Sequence, residues 1–78
     1  MNKKMLKELL ECEGFRPDAY DLEGGLLPER LTLAQEAGQW CVYYSEHGIR
    51  SGKKYFATED EACEDLLNQI RDEPFAKH

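Results

Sequence analysis

The sequence is short of the features that mark most catalysts and membrane proteins. It has three cysteines with no C-x-x-C pair, only three prolines, and no apolar run near the roughly 18 residues of a membrane span. An odd cysteine count disfavours a disulfide framework. Cys12, Cys41 and Cys63 stand where small apolar residues are otherwise expected, which predicts buried free thiols and a reducing, cytoplasmic setting. Basic residues are in the minority, ten Lys and Arg against sixteen Asp and Glu, for a formal net charge of −6. Such an excess repels phosphates, so it disfavours nonspecific binding to nucleic acid or anionic membrane and suits a basic partner. Lys3 and Lys4 are not followed by a long apolar core, so no signal peptide is predicted.

What is present is enough for one domain, taken as residues 1–78, with one modest core. Residues 2–13 predict a helix: Met5, Leu6, Leu9 and Leu10 form one stripe with Cys12 at its edge, Asn2 can cap the start and Gly14 the end. Between Gly14 and Pro28 the pattern gives only a turn at Arg16-Pro17-Asp18, a short strand over Ala19–Leu22 and a second turn at Glu23-Gly24-Gly25. Leu31–Glu36 alternates as a strand, Ala37-Gly38 makes a two-residue turn, and the strand from Gln39 to Ser45 follows. Its alternation puts Trp40, Val42 and Tyr44 on the core side and Tyr43 on the wetter one. Glu46–Gly52 is predicted to be a loop and Lys53–Ala57 the next strand, with Tyr55 grouped with Trp40, and Phe56 with Tyr43. Thr58-Glu59-Asp60-Glu61 is a capping box opening a second helix whose stripe is Ala62, Cys63, Leu66, Leu67 and Ile70. Pro74 ends that helix, and the last four residues are expected to fray. The predicted architecture is α+β: helix, a three- or four-stranded antiparallel sheet, helix, with both helices on one face.

Three groups of residues could serve a function. Glu59, Asp60, Glu64 and Asp65 would give the second helix an anionic face able to steer a cationic partner. Tyr43 and Phe56, if exposed together, would make an aromatic patch of the kind enriched in interfaces, with Glu46, His47 and Arg50 beside them as further anchors. Arg50, Lys53 and Lys54 form a basic cluster, a possible phosphate-binding tip or simply a solubilised strand edge. Cys41 is mid-strand and His47 lies in the turn, too far apart for a thiol–imidazole pair. No spacing holds His47, His78 and the carboxylates together as metal ligands, so neither a catalytic site nor a metal or cofactor is expected.

The order helix, three antiparallel strands, helix resembles double-stranded RNA-binding domains. Where that family opens its last helix with lysines, this chain has Thr58-Glu59-Asp60-Glu61-Ala62. The segments Trp40-Cys41-Val42-Tyr43-Tyr44-Ser45-Glu46-His47-Gly48 and Phe56-Ala57-Thr58-Glu59-Asp60-Glu61-Ala62-Cys63, with Tyr20 as a third anchor, resemble small immunity proteins of bacterial polymorphic-toxin systems. His47 stands where that family commonly has arginine. The resemblance implies a cytoplasmic, non-catalytic protein that binds and neutralises a cognate toxin. The alternative is a small nucleic-acid-binding or regulatory module using Arg50, Lys53 and Lys54.

Overall fold

The computed structural model describes residues 1–25, 29–46 and 48–73; the expectations placed on His47, Pro28 and Pro74–His78 lie outside them. The first helix, α1 (Lys3–Cys12), starts where the Asn2 side-chain oxygen accepts the Met5 amide at 2.9 Å. It ends in a Schellman motif: Phe15 N–H donates to the Leu10 carbonyl (3.0 Å) and Gly14 N–H to that of Glu11 (3.2 Å). Leu10 and Phe15, joined by that bond, are both buried. Only Leu6 and Leu10 of the predicted stripe reach the core, whereas Met5 is 51% exposed, and Leu9 and Cys12 are exposed too. The stripe narrows because α1 buries a single row of side chains.

The sheet has the order β1 (Tyr20–Asp21), β2 (Arg30–Glu36), β3 (Gln39–Glu46), β4 (Ile49–Phe56). The last three strands form an antiparallel meander, but β1 runs parallel to β2, so the sheet is mixed rather than wholly antiparallel. One turn of 3-10 helix over Pro17–Ala19 feeds β1. Ala37 and Gly38 both take positive φ, as a type I′ two-residue hairpin turn requires, and Glu36 faces Gln39 across it.

On one face of the sheet Leu31, Leu33 and Val42 join Leu6 and Leu10 of α1 and Ala62, Cys63, Leu66, Leu67 and Ile70 of α2 (Glu59–Arg71) in the main core. Each large side chain buried there stabilises the fold by about 1.5–3 kcal/mol before entropy. The helices run side by side in the same direction. Lys3 N–H donates to Glu59 at 2.8 Å near their starts, and Arg71 Nε donates to Glu13 at 3.0 Å near their ends.

The opposite face departs from expectation. Tyr43 is only 1% exposed and packs with Ala34 and Cys41, so it is not on a wet face. The parallel β1–β2 pair is the reason. Parallel strands need a crossover, and with the helices on one side the chain leaves β1 across the other. Asp21 pins that departure by accepting the Glu23 amide (2.9 Å) and the Gly25 amide (3.1 Å). Gly24 comes so close that a Cβ there would lie 3.1 Å from the Ala34 Cβ, and the Tyr43 hydroxyl donates to the Gly25 carbonyl at 2.9 Å.

The fourth strand starts at Ile49, so most of the predicted Glu46–Gly52 loop is strand. Val42 pairs with Lys54 but Tyr44 with Ser51, leaving Gly52 and Lys53 both opposite Tyr43. This is a β-bulge, built on Gly52 at φ +64. The pairing also reverses the predicted grouping of aromatics. Phe56 lies opposite Trp40 against the main core, and Tyr55 lies opposite Cys41, 52% exposed.

Candidate protein-binding surface

The fold separates the residues nominated from the sequence. Of the acids on α2, Glu59 accepts the Lys3 amide, and Asp60 takes the Met1 amino group. Asp65 accepts Gln69 Nε2 at 2.6 Å and lies 3.5 Å from Lys54 Nζ. Glu64 alone of the four is exposed with no such partner among the described residues. Tyr43 and Phe56 are on opposite faces, so they make no joint patch. Arg50 Nη1 and Lys53 Nζ both donate to Glu36 at 2.8 Å, and the Arg50 guanidinium stands 5.1 Å over the Tyr43 ring. The bulge allows this: it adds one residue between Arg50 and Lys53, so positions three apart share a face. The basic cluster is therefore divided, two members held by Glu36 and Lys54 turned to α2. Lys53 draws the Glu36 carboxyl below its usual range, with Arg50 adding to the effect.

Unpartnered carboxylates collect instead at the other end of the molecule. Glu29 immediately precedes β2 and Glu46 ends β3, one step beyond the Arg30–Ser45 pair. Asp72 caps the C-terminus of α2, and Glu73 follows it. None of these side chains has a hydrogen bond or ion pair among the described residues. Three of them lie within electrostatic reach of one side chain: burial raises the Tyr44 phenol above its usual range, and the charges of Glu29, Glu46 and Glu73 push it further. Asp72 and Glu73 also lie at the negative end of the α2 dipole, where a cation would be favoured.

A cleft opens among them. Ala19, Leu31, Tyr44 and Ile70 line it, with Glu29 and Glu73 on the rim beside Arg16 and Asp18. Arg16 is engaged by Asp18 through bonds of 3.0 and 3.1 Å, which hold the Asp18 carboxyl below its usual range. Sequence reasoning passed over this site because its acids are far apart in the chain. One signal was available: counting back from the Ala37-Gly38 turn sets Glu29 opposite Glu46.

The remaining reactive groups are dispersed. Cys41 is fully buried, its thiol pushed up by burial, and Cys63 likewise rises to about 11. Among the described residues no three His, Cys, Asp or Glu side chains converge on a metal position, and no helix is long and apolar enough to cross a membrane. No family model, curated protein or solved structure matches the chain, which leaves the chemistry of this end to be read from its own residues.

Proposed function

We propose that this chain is a non-catalytic, cytoplasmic immunity protein that binds a cognate bacterial toxin through an acidic surface and neutralises it by occlusion. One observation supports the reading above others: the fold pairs acids at one end and, among the described residues, leaves Glu29, Glu46, Asp72 and Glu73 without partners at the other. Such a surface attracts a cationic protein and speeds its encounter. The alternative nucleic-acid module has less in its favour, because Arg50 and Lys53 are held by Glu36 and Lys54 faces Asp65.

The test is co-expression with the C-terminal domain of a secreted toxin encoded beside this gene. Growth should be rescued, and the purified pair should associate with an on-rate that falls roughly tenfold between low and moderate salt. Charge reversal by Glu29→Lys with Glu73→Lys should slow association in the same way. Absence of both rescue and complex would end the proposal, as would submicromolar binding to short duplex RNA or DNA in its place.

A further inference from the structure

We propose that the cleft of Ala19, Leu31, Tyr44 and Ile70 is the seat for an arginine side chain of the partner protein, its stem on that floor and its guanidinium between Glu29 and Glu73. The inference rests on the protein-binding reading above and adds the anchor.

The floor and rim ask for a group that is apolar along its length and cationic at its tip. Ala19, Leu31, Tyr44 and Ile70 offer hydrocarbon and one aromatic ring, a surface along which a long basic side chain lays its methylenes. Glu29 and Glu73 offer acceptors that carry no hydrogen bond or ion pair among the described residues, while Asp18 engages the neighbouring Arg16 at 3.0 and 3.1 Å. The field of the same carboxylates reaches the Tyr44 phenol. A purely apolar occupant would bury two carboxylates without a partner, which is costly. A second copy of this chain presenting the same end would bring like charges together. Arginine fits better than lysine, since its guanidinium is less strongly hydrated, stacks on aromatic rings and meets carboxylates in a planar fork. Glu29 itself has φ +56, a left-handed backbone in which glycine would be less strained.

The experiment titrates the 15N-labelled full chain with N-acetyl-arginine-N-methylamide and compares the citrulline and norleucine analogues. The arginine probe should give saturable, millimolar-range shifts centred on Ala19, Leu31, Tyr44 and Ile70. Binding should weaken about tenfold in Glu29→Gln with Glu73→Gln, and the Tyr44 phenol should titrate at lower pH when the probe is bound. Glu29→Gly should be at least as stable as the parent yet bind the probe more weakly, which a merely structural Glu29 would not do. Citrulline or norleucine binding as well as arginine, shifts scattered over the whole acidic surface, or indifference to the double substitution would each overturn the proposal. A toxin complex undiminished by Glu29→Gln with Glu73→Gln would remove the anchor and leave the immunity reading standing. An arginine probe that docks in a chain that neutralises no toxin would do the reverse.

Discussion

The two ends of α2 carry similar residues in opposite circumstances. At its start Glu59, Asp60 and Glu61 lie where the helix dipole favours negative charge, and the fold adds the Lys3 amide, the Met1 amino group and the Thr58 cap. At its end Asp72 and Glu73 lie where the dipole opposes them, with Glu29 and Glu46 nearby and no partner supplied among the described residues. The first end is closed by its own chain and the second is open. A count of acids along the sequence cannot tell these apart. What distinguishes a binding surface from a stabilised helix terminus is whether the fold has already answered the charge.

The largest expected effect belongs to the closed end. Burial, and then Glu59, push the Cys63 thiol from an ordinary 9.0 to about 11. Because the folded value is the higher one, the unfolded chain loses its proton first. Stability should therefore fall as pH rises from about 9 and stop falling beyond about 11, a loss on the order of 2 kcal/mol in urea titrations. Cys63→Ala should lack that component of the slope, and an unchanged slope would show that the closed end is not dry.

Removing the cap should cost about 1 kcal/mol in Thr58→Ala, with Thr58→Asp close to the parent, as read from chemical denaturation. The open end should answer with the opposite sign. Asp72→Lys or Glu73→Lys should gain about 0.3–1 kcal/mol by meeting the dipole, while weakening the partner complex. A loss of stability in both would erase the contrast between the ends.

The smallest effect concerns acid. Lys53 holds the Glu36 carboxyl below its usual 4.5, so its contribution is present above that pH and disappears as pH falls through the lower folded value. Glu36→Gln should flatten the acid limb of the stability profile, and an unchanged limb would show that the Lys53 contact does not stabilise the fold.

Much of the fold was legible because the signals were local. The Asn2 cap, the Gly14 terminus, the Ala37-Gly38 turn and the Thr58 cap each lie within a few consecutive residues and occur as the sequence predicts, except that Glu61 reaches back to the Thr58 hydroxyl and not to its amide. The parallel direction of β1 was not legible, since two residues carry no sense of direction until a neighbour is known. Burial of Tyr43 follows from that direction and was hidden with it. The grouping of Tyr55 and Phe56 failed for another reason. Alternation says which residues share a face, but the β3–β4 pairing decides which face that is. Of the nominated site, Glu46 belongs to the open end, Glu64 remains exposed on α2, and Glu59, Asp60, Asp65 and Arg50 are engaged within the chain. Ion-pair partners are long-range facts, and composition cannot supply them.

The extra residue at Gly52 also bears on how the protein behaves when crowded. One margin of the sheet is β1, a stub of two residues; the other is β4, eight residues long with Tyr55 and Ile49 exposed along it. A straight margin of that length is a template for recruiting strands from neighbouring molecules. The bulge interrupts the template midway, and Lys53 and Lys54 follow it with charge. Deleting Gly52 should straighten the margin and turn Arg50 toward the helices, and light scattering at high concentration would report the aggregation that follows.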